Sequence, residues 1–271
     1  MGWPVYGVFA LLGLWSVGPM IGLQVAAWAS GRSFTGVDGP YAGDVYQYLA
    51  WVRDAGSHVV ASDLFGGQPT AHSYLQPIVL LSGLLWRAGL PLVGAYLLWL
   101  PVAVAVLAAG YWGYVRRLVG PSAGARATTL LLAVFCLPPT AALMSWLHLG
   151  SPALRASVGS LAGQVFPAGS TLDAFSGLIS LGLMPLFLIG AASLVEGAAP
   201  VPGAGAGAGA DRPDRVAPTG RRLVLATSAA GLLATWLHPW QGEVLVLTAV
   251  AMASTSGSVG RARRLVLPIA A

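Results

Sequence analysis

The sequence predicts an all-α fold: a polytopic transmembrane helix bundle of about six full spans plus the start of a seventh, with an outer-face loop carrying amphipathic interfacial helices. Three observations predict it. Hydrophobic residues make up 56% of the 271 positions and charged residues 8%, against about a quarter charged in a soluble domain. Several apolar runs exceed the roughly 18 residues that a bilayer-spanning helix needs. All 14 basic residues are arginine, and they fall in short clusters between the apolar runs, as topology signals do.

Composition also excludes several classes. A net charge of +5 and a pI near 9.8 would suggest nucleic acid in a soluble protein, but arginines spaced between apolar runs point to a lipid bilayer, and no nucleic-acid partner is expected. The Gly-, Ala-, Val- and Leu-rich, lysine-free composition is that of a GC-rich bacterial genome. Cys136 is the lone cysteine and lies in an apolar run, so there is no disulfide framework and no cysteine metal cluster. There is no phosphate-binding Gly-rich loop with Lys-Ser/Thr, no dinucleotide fingerprint and no His-x-x-x-His spacing. Ala27-Trp28-Ala29 has a small-x-small pattern, yet no basic stretch precedes it. The apolar run from Pro4 to Ala29 is about twice the length of a signal-peptide core, which favours a retained helix.

Taken in order, the first span runs from Val5 to Ala29 without a charge. A polar island covers Ser30 to Tyr74. Leu75 to Trp86 is an apolar helix too short to cross, expected in the interface with Trp86 and Arg87 as anchors. The second span, Leu90 to Val115, stops at Arg116-Arg117. The third runs from Ala127 to Leu147, and Pro138-Pro139 inside it predict a kink. A second polar segment covers Gly150 to Ala174, and a fourth span Phe175 to Val195. Residues 197–222 read as a flexible Gly/Ala-rich cytoplasmic linker, with Gly203 to Ala210 alternating and Asp211, Arg212, Asp214 and Arg215 after it. The fifth span is Leu223 to Leu237, closed by His238-Pro239-Trp240, and the sixth is Gln241 to Ser256. Leu265 to Ala271 is seven residues, about 10 Å of helix, so residues 1–271 read as one membrane domain cut inside a seventh span.

Placing the loops after spans two, four and six in the cytoplasm puts Arg116, Arg117, Arg126, Arg212, Arg215, Arg221, Arg222, Arg261, Arg263 and Arg264 inside. Only Arg32, Arg53, Arg87 and Arg155 stay outside. The N-terminus is then cytoplasmic. The loop 30–89, the second polar segment and the His238-Pro239-Trp240 corner share the outer side of a plasma membrane.

The island holds Asp38, Asp44, Asp54 and Asp63, four of the nine acidic residues. Asp44 to Ala55 patterns as a helix with Val45, Tyr48, Leu49 and Val52 in one apolar stripe. Asp44, Gln47, Trp51 and Asp54 form another line. Locally, Gly43-Asp44-x-x-Gln47 is a helix start with Asp44 as N-cap. Asp54 beside Arg53 reads as a solvated pair, His58 and His72 as isolated loop histidines, and Asp63 as a turn residue. At the other outer corner Pro239 suits the first helical position, Glu243 the first turns, and Trp236 and Trp240 the aromatic belt. His238 at that rim is a site candidate.

The first span, then an outer loop with Asp44-Val45-Tyr46-Gln47-Tyr48-Leu49-Ala50, then Gln76-Pro77 leading a short helix, and later His238-Pro239-Trp240, together resemble the GT-C superfamily of membrane glycosyltransferases, in an actinobacterial branch. The resemblance implies transfer of a sugar from a polyprenyl-phosphate donor to a glycan, lipid or protein acceptor of the cell envelope on the outer face. It gives Asp44 the catalytic role, as base or as a holder of a divalent metal. An acceptor hydroxyl needs a carboxylate to take its proton, and a lipid-phosphate leaving group needs cationic or hydrogen-bonding partners. Gln47, Trp51, Arg53, Arg155, His238, Trp240, Gln241 and Glu243 are the substrate-binding candidates. The acidic pair of several family branches is single here, with glycine at 43 and valine at 45. The alternatives are a multi-pass transporter or flippase, for which Pro138-Pro139 is the hint, and a non-catalytic membrane subunit.

Overall fold

The computed structural model describes residues 2–36, 42–64, 70–136, 143–144, 146–165, 167–172, 175–196, 217–255 and 265–270. The fold is mostly helical. Among the described residues the only strands are β1 (Ala61–Ser62) and β2 (His72–Tyr74), an antiparallel pair with Ala61 opposite Tyr74 and Ser62 opposite His72. Among the described residues three helical stretches are long and apolar enough to cross a membrane: Trp3–Ala29, Leu92–Leu118 and Phe175–Val195. They coincide with the expected first, second and fourth spans. One membrane domain is expected from the sequence; by contact the chain divides into two compact units, Met1–Gly182 and Leu183–Ala271.

In the first unit, α1 (Trp3–Ala29) opens with a proline in its first turn, where the fixed φ suits the helix and the missing N–H is not needed. Its 27 residues give about 40 Å, more than the roughly 30 Å of hydrocarbon. Leu11, Leu14, Ile21 and Val25 are exposed, as lipid-facing side chains would be.

Helix α2 (Ala42–His58) buries Val45, Leu49, Val52, Ala55 and Gly56, which is the stripe that the sequence pattern marks out. Against it packs α3 (Pro77–Arg87), whose N-cap Gln76 accepts the Val79 N–H on Oε1 at 2.8 Å. The two backbones touch at Gly56 and Gly83. A Cβ on Gly83 would stand 2.6 Å from the Gly56 nitrogen and 2.7 Å from the Val52 oxygen, so only glycine permits the approach. The expected interfacial helix is therefore also a packing partner: Ile78, Val79, Ser82 and Gly83 are buried, while Leu81 and Leu84 are exposed.

The second membrane-length stretch is α4 (Leu92–Leu97) and α5 (Trp99–Leu118), joined through Leu98 in helical geometry. Helix α6 (Ala123–Phe135) meets α1 and α5 in a core of Val5, Val8, Val115, Ala127 and Leu130. Arg126, counted above as a topology signal, also caps α5: Nε and a terminal nitrogen each donate to the Val119 carbonyl at 3.3 Å.

Here the structure departs from the expected third span. Helix α6 ends at Phe135 and Cys136 is extended (φ −81°, ψ 115°). Proline at 138 has no N–H to offer the Val134 carbonyl four residues back, and the Ala168 N–H takes that acceptor instead. Pro138-Pro139 lie outside the described residues. The polar segment that follows forms α7 (Pro152–Val165) and a tight turn at Gly169–Leu172. That turn is not surface: Ala168, Ser170 and Thr171 are buried. The Ala168 N–H donates to the Val134 carbonyl at 3.0 Å, and the Trp15 indole donates to the Ala168 carbonyl at 2.7 Å. A second glycine contact joins α5 to α8 (Phe175–Glu196), where a Cβ on Gly110 would collide with the Gly182 carbonyl.

The second unit contains α9 (Ala217–Leu237), α10 (Pro239–Thr255) and α11 (Val266–Ala270). They pack on Phe187, Ala191 and Leu194 through Ala234, Leu245, Ala249 and Leu265. Helix α9 takes in Arg221 and Arg222, which the sequence places in the linker. The rest of that linker, with Gly203–Ala210, Arg212 and Arg215, lies outside the described residues, as do Asp38, Arg261, Arg263 and Arg264. The expected fifth and sixth spans fall on α9 and α10, which are not among the three stretches both long and apolar enough to cross.

Candidate functional site

The end of α2 carries Asp54-Ala55-Gly56-Ser57-His58, which sets Asp54 and His58 one helical turn apart on one face. Val59 then takes φ +70°, a left-handed conformation that is an outlier for a β-branched residue. Its N–H still donates to the Ala55 carbonyl at 2.7 Å. This reversal sends the chain into β1, so that Ser62 returns to Asp54. The Ser62 N–H and hydroxyl donate to Asp54 Oδ2 at 2.7 and 2.8 Å.

The hairpin register then brings in a third residue. Ser62 faces His72 across the two strands. His72 Nε2 lies 3.4 Å from Asp54 Oδ1, and His58 Nδ1 lies 2.9 Å from the same oxygen. The imidazole rings stack at 4.0 Å between centroids. The Asp54 side chain is 14% exposed, against 53% for His58 and 39% for His72. Burial pushes the Asp54 carboxyl up. The Ser62 N–H and hydroxyl, the His58 hydrogen bond and the charge of His72 outweigh that and hold it at about 2. One ligating atom from each of the three residues lies within 4.8 Å of the others.

Two features adjoin this cluster. Beside it runs a row of rings: Tyr74 to Trp51 at 4.7 Å, Trp51 to Tyr48 at 5.6 Å, and Tyr48 stacked on Tyr96 at 5.8 Å. Burial, helped by Tyr48, raises the Tyr74 phenol to about 12. On another side of α2 lies a groove of about 560 Å³ bordered by Tyr46, Leu49, Arg53, Asp54, Leu64 and Leu92. The Arg53 guanidinium makes no ion pair there among the described residues, so a cation stands beside an apolar wall.

The other expected site residues scatter. Asp44 is exposed in the first turn of α2, where the helix dipole favours a carboxylate. Because the helix starts at Ala42, Asp44 is its third residue and not the N-cap. Gln47 and Trp51, both half-buried, share its face. Arg53 is nine residues on, about two and a half turns, and so on the opposite face about 14 Å along the axis. Asp54 turns to its serine and histidines and makes no ion pair with Arg53 among the described residues, contrary to the solvated pair expected from adjacency. Arg155 donates to the carbonyls of His148 and Gly150 at 3.2 and 2.7 Å, which holds the turn ahead of α7.

His238, Trp240, Gln241 and Glu243 belong to the second unit. His238 joins α9 to α10, and its carbonyl accepts the Gln241 N–H at 3.0 Å. Its Nδ1 is buried without a hydrogen-bond partner among the described residues, and burial pushes the imidazole below its ordinary value. Trp240 and Glu243 are exposed.

His58 and His72, isolated loop histidines by sequence, both reach Asp54 in the structure. The one-turn spacing of Asp54 and His58 was available as a signal. The approach of His72 was not, because it depends on the hairpin register. No protein-family model, curated protein or solved structure matches this chain.

Proposed function

We propose that this chain is a membrane-embedded glycosyltransferase of the GT-C kind, moving a sugar from a polyprenyl-phosphate donor to an envelope acceptor at the outer face. The observation that supports it is the groove on α2. Arg53 offers a guanidinium to a phosphate, while Leu49, Leu64 and Leu92 offer the apolar wall that a prenyl chain needs. Leu92 also begins a helical stretch long and apolar enough to cross a membrane, which suits a lipid-linked donor. The finer topology belongs to the same reading: six spans with α9 and α10 among them, the N-terminus inside and 30–89 outside, supported by the ten-to-four arginine bias.

In the reaction the acceptor hydroxyl gives its proton to a carboxylate and its oxygen bonds to the sugar's C1. The C1–O bond to phosphate breaks, and the polyprenyl phosphate leaves with the electron pair. The base and the leaving phosphate must flank one carbon. Asp44 and Arg53, on opposite faces of α2, cannot do so together in this arrangement, so Arg53→Gln and Asp44→Asn separate two versions of the site.

The experiment follows labelled sugar from the lipid donor into envelope glycan, in full-length protein at normal membrane levels. Loss with Arg53→Gln and not with Asp44→Asn centres the reaction on the groove. The reverse centres it on the Asp44 face, with His238→Ala testing the second unit's part. Incorporation undiminished in all three removes the enzyme reading, and donor binding without turnover makes the protein a carrier. Cysteine labelling at Ser57→Cys from outside and Ser122→Cys from inside, in a Cys136→Ser background, tests the orientation.

A further inference from the structure

We propose that Asp54, His58 and His72 form a site for a divalent first-row transition metal, with zinc the ion that suits the donors best. This does not rest on the glycosyl-transfer reading. Two imidazoles and one carboxylate are the three protein ligands of an open zinc site, which leaves a fourth position for water or an oxyanion. Zinc bonds of about 2.0–2.2 Å place tetrahedral donors about 3.3–3.6 Å apart. Asp54 Oδ1 already stands 2.9 Å from His58 Nδ1 and 3.4 Å from His72 Nε2. One ligating atom from each of the three residues lies within 4.8 Å of the others, so side-chain adjustments of about 1 Å close the set around an ion.

The surroundings are those of a supported ligand set. Ser62 holds Asp54 Oδ2 with two hydrogen bonds, which orients the carboxylate and leaves Oδ1 toward the imidazoles, as outer partners of metal ligands do. Asp54 and His58 come from one helix face and His72 from the strand opposite Ser62. Helix and hairpin register, not a mobile tail, fix the spacing. Both histidines are accessible, so an ion can load and an external ligand can reach it. With one carboxylate and two neutral imidazoles, a dication leaves a net positive centre that would attract an oxyanion. The competing account gives Asp54 only a hydrogen-bonding role at the helix end, and that account predicts no metal.

The test uses the full chain in lipid nanodiscs, purified through a histidine-free tag and stripped with chelator. It is titrated with zinc against a competing indicator, and cobalt is added in parallel to read the ligand-field spectrum. The expected result is one zinc per chain and a cobalt spectrum of low coordination number. Affinity should fall more than about tenfold in His72→Gln and in His58→Gln, and about tenfold in Ser62→Ala, which disturbs only the support. Zinc should raise the unfolding temperature of the wild type and not of His72→Gln. This second readout is independent of catalysis and of the indicator. Zinc well below one per chain, or equal binding by wild type and a folded His72→Gln, overturns the proposal.

Discussion

At the end of α2, two exposed imidazoles stand around a carboxylate whose other oxygen takes two hydrogen bonds from Ser62. At the start of α10, His238 is half-buried, and its Nδ1 has no hydrogen-bond partner among the described residues. In the first corner neighbouring groups favour the charged form of Asp54; in the second, burial favours the neutral form of the histidine. The first is assembled across a hairpin from residues far apart in the chain, the second from one helix junction. The contrast teaches that an ionisable residue at a rim is not enough to mark a site. What distinguishes the α2 corner is convergence of polar groups on one carboxylate.

The largest effect should come from destroying the platform of the first corner. Gly83→Leu drives a side chain into the Gly56 and Val52 backbone, which cannot retreat as a side chain could. About 3 kcal/mol or more should be lost, read as a lower unfolding temperature and faster tryptic cleavage at Arg53 and Arg87. Cleavage at Arg221 should not change. If it rises equally, the two units do not unfold separately and the contrast fails.

Next in size is the sign of two substitutions. Asp54→Ala strips the Ser62 N–H and hydroxyl and the His58 ring of their acceptor and should cost about 2 kcal/mol. His238→Phe removes an unpartnered buried nitrogen and should be neutral or stabilising by up to about 1 kcal/mol. Thermal unfolding of both variants in one lipid preparation checks this, and equal destabilisation would erase the distinction.

Acid should separate the corners along the pH axis. The folded state pushes His238 below its ordinary 6.5, so the unfolded chain takes that proton first. Its contribution is whole above pH 6.5 and is lost as pH falls through the lower folded value. Asp54, depressed from 3.8 to about 2, contributes fully above pH 3.8 and loses that between there and about pH 2. In an unfolding series over pH, His238→Phe should flatten the upper window alone and Asp54→Asn the lower alone. A single shared window would contradict the separation.

The smallest effect concerns Val59. Val59→Gly relieves a left-handed β-branched residue and should stabilise by about 1 kcal/mol. A loss of stability would mean that the Val59 side chain matters more than its strained backbone.

Much of the fold is legible because it follows from continuous or periodic apolar runs. The stretches Trp3–Ala29, Leu92–Leu118 and Phe175–Val195 are such runs, and the buried face of α2 is a repeat that Val45, Leu49 and Val52 display. The early end of α6 was half-visible, since Pro138 lacks the N–H that would continue the helix to Val134, yet apolar composition alone carries the expected span on to Leu147. The inward turn at Gly169–Leu172 was hidden because serine and threonine, which look like surface, are buried there. At the candidate site Asp54 and His58 sit at a readable spacing. The return of Ser62 and His72 depends on a left-handed valine that local propensity argues against. Asp44 shows the limit at a helix end, where two residues decide between a cap and a first-turn carboxylate.

The short α6 has a consequence for biogenesis. Thirteen apolar-rich residues make about 20 Å of helix, roughly 10 Å less than the hydrocarbon thickness, so α6 by itself is shorter than a span. Near its end the Val134 carbonyl is satisfied by the Ala168 N–H, and the Ala168 carbonyl by the Trp15 indole. Val134 is buried, and a buried carbonyl left without a donor costs about 1–3 kcal/mol. The end of α6 is therefore completed only when a segment synthesised more than thirty residues later folds back onto α1.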